Sequence, residues 1–232
     1  MRLGLIGKIR AKPGFVAHDA PPALLGALEP WLHAGAGASR LALGARWRSA
    51  FLAAPVWRFW LGGAICGAPT LGAFAPSIDA DGRYFPLLLF ALAEGARAIP
   101  PPEFSAQEEF LSAAEELLVG TLAPGARYED TLAALSLLPP PTLAPVEAAG
   151  APVVFVRGGL AAPLDDHGPQ ELFARLRRAD WARAYAPMSF WSTKGGAGFR
   201  PLALAVSGLP DASLFAGFLT GDFSGGGAAS MG

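Results

Sequence analysis

Pro76-Ser77-Ile78-Asp79-Ala80-Asp81-Gly82-Arg83-Tyr84-Phe85-Pro86-Leu87 sets two carboxylates, an arginine and a tyrosine between strongly apolar flanks. Residues 59–77 hold no charge at all, and Leu87-Leu88-Leu89-Phe90-Ala91-Leu92 follows. The chain thus leaves one apolar element, exposes a polar turn around Gly82 and re-enters the core. Asp-Gly pairs favour such turns, because glycine accepts positive φ and aspartate bonds its own backbone. The pattern predicts buried strands over 71–75 and 85–93. Two readings of the cluster stay open: a turn satisfied within itself, or a polar site at the edge of a core.

Working outward, residues 56–61 read as a strand with Val56, Arg58 and Trp60 on one face and Trp57, Phe59 and Leu61 on the other. Arg58 is the sole charge between Arg48 and Asp79. In a central strand it needs a buried acceptor, since an unpaired buried charge is too costly. Asp79 and Asp81 are the nearest candidates in sequence. An exposed position at a strand end is the alternative. Residues 59–78 are about long enough to span a bilayer, which takes roughly 20 residues. Gly62, Gly63, Gly67, Gly72, Pro69 and Pro76 make that stretch a poor helix, and buried strands with turns fit it better.

Toward the N-terminus, residues 2–9 predict a strand and Pro13-Gly14 a turn. Leu24, Leu25, Leu28, Trp31 and Leu32 have helical spacing within 20–43, where Pro30 is expected to kink or restart the helix. Ser39 suits the cap of a following turn, and Trp47 and Phe51 share one face of a second helix over 45–53.

Toward the C-terminus, Pro100-Pro101-Pro102 reads as a stiff linker. Residues 103–119 predict a helix with Glu103, Glu108 and Glu109 near its positive end. A helix over 128–138 precedes a Pro- and Ala-rich piece, 139–152, that reads as an internal linker. Strands are expected at 153–156, 188–193 and 202–206, an amphipathic helix at 169–184, and a last helix at 212–219 capped by Asp211. The alternation of strands and helices gives an α/β fold, a three-layer α-β-α sandwich with a mixed sheet. One domain over 1–221 is expected, with a Gly/Ser/Ala-rich disordered tail over 222–232.

Composition narrows the function classes. The 232 residues are 52% hydrophobic and 16% charged, the reverse of a disordered chain. With 18 basic against 19 acidic residues and a net charge of −1, no basic excess points to nucleic acid or an anionic membrane surface. Cys66 is the sole cysteine, so no internal disulfide forms. The apolar start, interrupted by Lys8, is too short for a signal peptide. These features predict a soluble cytoplasmic protein.

Residue clusters with chemical potential are few. Asp79 and Asp81 could form an acid–base pair, but no nucleophile or second base accompanies them at a fixed spacing. Asp165-Asp166-His167 has one imidazole and no further Cys or His partner nearby, short of the four N/S ligands of structural zinc. Thr193-Lys194-Gly195-Gly196-Ala197-Gly198 lacks the order of a phosphate-binding P-loop and reads as a glycine-rich hairpin. Cys66 has no basic neighbour to lower its pKa. Trp57, Trp60 and Trp191 read as core, with a tryptophan-bearing contact surface as the alternative.

Three stretches in order resemble the TagF (ImpM) family of bacterial type VI secretion-associated proteins. The first is Gly7-Lys8-Ile9 with Phe15-Val16. The second joins Leu43-Gly44-Ala45-Arg46-Trp47, Ala54-Pro55-Val56-Trp57-Arg58-Phe59, Pro76-Ser77-Ile78-Asp79 and Gly82-Arg83-Tyr84-Phe85-Pro86-Leu87. The third is Ser189-Phe190-Trp191-Ser192-Thr193, then Gly208-Leu209-Pro210 and Phe215. The chain departs from the family pattern at Lys12-Pro13-Gly14-Phe15, where an Arg-Gly-Asp-Phe-like run is usual, and at Phe190-Trp191-Ser192-Thr193, usually Trp-Trp-Thr-like.

The resemblance implies an α-β-α layered fold, no enzymatic activity and no cofactor. It also implies a cytoplasmic accessory factor that restrains type VI secretion after translation by binding the forkhead-associated (FHA) scaffold protein of the system. Arg58, Ser77, Asp79, Arg83 and Trp191 are the expected binding residues. The alternative from another class is a small-molecule or nucleotide-binding domain using the turn around Asp79 and Arg83.

Overall fold

The computed structural model describes residues 1–93, 95–146, 154–164, 166 and 168–224. The apolar stretches around the polar turn are its central strands. The chain runs through β1 (Arg2–Gly7), β2 (Val16–His18), α1 (Pro22–Leu43), α2 (Trp47–Ala53), β3 (Trp57–Leu61), a single-turn α3 (Gly63–Cys66), β4 (Thr70–Ile78) and β5 (Tyr84–Leu92). After β6 (Arg97–Ala98) come α4 (Glu108–Gly120), α5 (Tyr128–Ser136), β7 (Ala144–Pro145), β8 (Val154–Val156) and β9 (Gly159–Ala161). The last elements are α6 (Gly168–Ala179), α7 (Trp181–Ala184), β10 (Met188–Thr193), β11 (Leu202–Ser207) and α8 (Phe215–Thr220).

Seven strands form the main sheet in the order β11-β10-β3-β4-β5-β1-β2. Helices cover both faces, as the layered α/β reading expects. The sheet is not mixed, however: every neighbouring pair in it is antiparallel. A parallel pair needs a helical crossover between two adjacent strands. Here the tight turns after β4 and β10 make direct hairpins, and α1 with α2 carry the chain from one side of the sheet to β3 without placing a parallel neighbour. The central strands lack in–out alternation because both their faces are buried.

One face packs on α1, α2 and α8 through Trp31, Trp57, Phe59, Phe74, Trp191, Phe215 and Phe218. The other packs on α4, α5 and α7 through Trp60, Leu71, Leu89, Phe110, Leu118 and Trp181. All six tryptophans are buried and each indole N–H finds an acceptor, so the contact-surface alternative for them falls away.

Local departures have physical reasons. Pro30 neither ends nor restarts α1. Burial of Leu24, Leu28, Trp31 and Leu32 outweighs the roughly 3 kcal/mol a helical proline costs. Ser39 caps nothing; it lies buried inside α1, donating to the Ala36 carbonyl and accepting from Trp47 Nε1. The predicted helix at 103–119 begins only at Glu108, so Glu103 lies outside it and bonds the Tyr185 hydroxyl instead. Phe223 packs on Trp57 and Phe218, ordering the start of the expected tail, whose residues 225–232 lie outside the described ones. Of the proposed linker, 147–152 also lie outside them. No helix among the described residues is long and apolar enough to cross a membrane.

Candidate functional site

The polar turn joins β4 to β5. Gly82 N–H bonds the Asp79 carbonyl at 3.0 Å and Asp79 N–H bonds the Arg83 carbonyl at 3.1 Å. Gly82 has φ +81°, a conformation that suits glycine at the end of a three-residue hairpin loop. The Asp79 side chain is fully buried. Its Oδ1 accepts from the backbone N–H groups of Asp81 and Arg83, at 3.1 and 2.9 Å. Its Oδ2 accepts from Lys8 Nζ and Arg83 Nε, both at 2.8 Å. Burial alone would raise its pKa, but the Lys8 ammonium and the Arg83 amide and guanidinium outweigh that and hold it well below the usual carboxylate range. Arg83 reaches Asp81 as well, at 2.6 Å. The loop at Lys12–Phe15 docks here: Ala80 N–H bonds the Lys12 carbonyl at 3.1 Å, and the Lys12 ammonium sits 4.0 Å over the Tyr128 ring.

Arg58 is buried, as the central-strand reading requires, but its acceptors are neither Asp79 nor Asp81. Strand register puts Ala203, Ser192, Arg58, Ala73 and Leu89 in one row across the sheet. The small neighbours Ser192 and Ala73 leave room for the guanidinium beneath α4. There Nε lies 2.6 Å from Glu115 and Nη1 2.6 Å from Glu108, with Ser112 beside them. Lys194, from the glycine-rich loop after β10, closes the group at 2.6 Å from Glu108. Burial lowers the pKa of Arg58, yet the hydrogen bonds and charges of Glu115 and Glu108 leave it above that of free arginine. The bonds from Arg58, Lys194 and Ser112 depress Glu108.

The five expected binding residues therefore do not converge. Asp79 and Arg83 form the turn with Lys8. Ser77, on β4, is buried with no hydrogen-bond partner for its hydroxyl among the described residues. Arg58 belongs to the α4 network. Trp191 is buried, its ring against Trp31, Phe59 and Phe218, and its N–H bonds Ser189 Oγ at 2.9 Å. Sequence reading missed Lys8, Glu108, Ser112, Glu115 and Lys194. The spacing of Glu108, Ser112 and Glu115, four and then three apart, was the available signal: one polar stripe on a helix that buries Leu111, Ala114 and Leu118 beside it.

Beside the Arg58 network lies a cavity of about 310 Å³. Trp60, Leu71, Phe190 and Ser192 line it, with Leu111 and Pro102 on the helix side and Ala203 and Ala205 toward the sheet edge. No residue of the polar turn lines it. Burial pushes the Cys66 thiol pKa up, against the hydrogen bond the thiol donates to Thr70 Oγ1, so it is no activated nucleophile. Among the described residues no cluster of His, Cys, Asp or Glu could hold a metal ion; Asp165 and His167 lie outside them.

Comparison with known proteins agrees with this architecture. No curated protein matches the chain. Among solved structures, PA0076 from Pseudomonas aeruginosa PAO1 is similar over 95% of this chain and 94% of its own, at 30% identity and a TM-score of 0.77. The family model of the TagF N-terminal domain, described as type VI secretion system-associated, matches residues 4–138. That match takes in Lys8, Arg58, Asp79, Arg83, Glu108 and Glu115, so both ion networks fall largely within it. The chain belongs to the TagF family of type VI secretion system-associated proteins.

Proposed function

We propose that this chain is a non-enzymatic cytoplasmic accessory protein that restrains type VI secretion after translation by binding another protein of the apparatus, the FHA-domain scaffold. Family membership supports the secretion context. The state of Asp79 carries the non-enzymatic part. A carboxylate held ionised by Lys8 and Arg83, with both oxygens already accepting two bonds each, is neither a ready proton donor nor a ready base. The same saturation leaves little at the turn for a small ligand to bond. Arg83 is half-exposed at its head and joins this buried anchor to the surface, a suitable residue for a partner to read.

The test is a pull-down of the FHA scaffold from the same genome by the purified chain, with Arg83→Ala alongside. The reading expects capture by wild type and loss by the folded variant. Failure of wild type to capture the scaffold at micromolar concentration would overturn the partner assignment.

A further inference from the structure

β11 ends the main sheet, and no strand among the described residues pairs with its outer side. Soluble proteins guard such edges with charge, proline, bulges or a covering element, because unpaired N–H and C=O groups template another strand. Leu202–Ser207 carries no charge and no proline. On the Arg58 face it presents Ala203, Ala205 and Ser207, all exposed. Alanine is a poor strand former, so these two positions gain little from propensity. What they leave is space. Immediately behind them the cavity of about 310 Å³ runs over Phe190 and Ser192 to Trp60 and Leu71. Open backbone and apolar hollow are thus adjacent parts of one feature.

We propose that β11 accepts, as an added strand, an uncharged extended segment of another protein that sets a bulky apolar side chain over Ala203 and Ala205 into the cavity. The inference rests on the binding role proposed above and names where the partner sits. In such strand addition main-chain hydrogen bonds supply affinity, and pockets for alternate side chains supply specificity. Charge argues for an uncharged occupant. Arg58, the one charged residue lining the cavity, is already matched by Glu108 and Glu115. A further charge placed there would be desolvated without a partner. Size argues against a second copy of this chain: β11 facing its own copy would bring only Ala203, Ala205 and Ser207 to this face, too small to fill the hollow.

The test begins from random short peptides, displayed and selected on the purified full chain, so it does not depend on the scaffold. The inference expects enriched peptides with large apolar residues at alternate positions and no charge between them. Binding of such a peptide should slow amide exchange over Leu202–Ser207 in the wild-type protein. Ala203→Trp, which fills the hollow from within, and Ala205→Lys should each weaken binding by about tenfold or more, with thermal unfolding checked to show both variants folded. No enrichment, charged consensus peptides, protection elsewhere, or unchanged binding by both folded variants would overturn it. The FHA scaffold is then added as competitor. Displacement supports both readings. Scaffold capture with unchanged exchange over Leu202–Ser207 keeps the proposed function and sinks this site. Peptide protection of β11 without scaffold capture keeps the site and removes that partner.

Discussion

Arg58 Nε and Glu115 Oε1 lie 2.6 Å apart across the gap between β3 and α4, although 57 residues separate them in the chain. The pair ties the helix layer to the sheet at the one place in that row where the sheet offers a charge. Both groups are largely out of water, and removing Arg58 strips Glu115 of its short bonds and leaves it only the Lys194 ammonium at 3.9 Å. Arg58→Ala should therefore cost about 3 kcal/mol in urea unfolding. In a double-mutant cycle Arg58 and Glu115 should couple by about 1 kcal/mol or more, while Arg58 and Asp79 should be additive within about 0.5 kcal/mol. Additivity between Arg58 and Glu115 would mean that the ion pair does not form in solution.

Asp79 makes stability depend on acid. Its folded pKa lies below the ordinary value of about 3.9 that it recovers on unfolding. Its contribution is therefore fully present above that value and fades as pH falls below it toward the folded pKa. Asp79→Asn should be less stable than wild type by about 3 kcal/mol at neutral pH, and the gap should narrow below about pH 4. Urea unfolding of both proteins across that range reads the difference directly, since other carboxylates contribute equally to each. A gap independent of pH would remove the ionised Asp79 as its source.

Ser77 has the opposite sign. Its hydroxyl is buried and bonds no protein group among the described residues, so removing it breaks no hydrogen bond they show. Ser77→Ala is expected to raise stability by about 1 kcal/mol while leaving scaffold capture intact. Loss of capture with unchanged stability would instead make Ser77 a contact residue.

The fold was legible where burial is two-sided and the turn chemistry local. The strands around Gly82, the face assignment of Trp57 through Leu61 and the Asp211 cap all follow from spacing or short-range bonding. Strand direction was not legible, because alternation of element types carries no information on which strands become neighbours. The partners of Arg58 were missed for a related reason. Proximity in sequence favoured Asp79, whereas the sheet row at Ser192 and Ala73 opens toward α4, and pairing across layers is decided by packing. The cavity was equally out of reach, since its lining comes from segments far apart in the chain, Pro102 and Leu111 on one side and Ala203 and Ala205 on the other.

The last helix offers a test of how the layers close, using two glycines of α1 that look equivalent in sequence. Gly35 is buried, and a Cβ there would come within 2.1 Å of the Phe215 ring. Gly37 is exposed, with nothing within 4 Å of the same added atom. Alanine in a helix interior is worth about 1 kcal/mol over glycine where space allows. Gly37→Ala should therefore stabilise by roughly that amount. Gly35→Ala should destabilise by about 1–3 kcal/mol, because the overpacked Phe215 ring must move and it is held on all sides by Trp31, Phe74 and Phe218. Thermal or urea unfolding of the two variants gives the signs. If both stabilise, α8 does not rest on α1 as closely as the Phe215 contact requires.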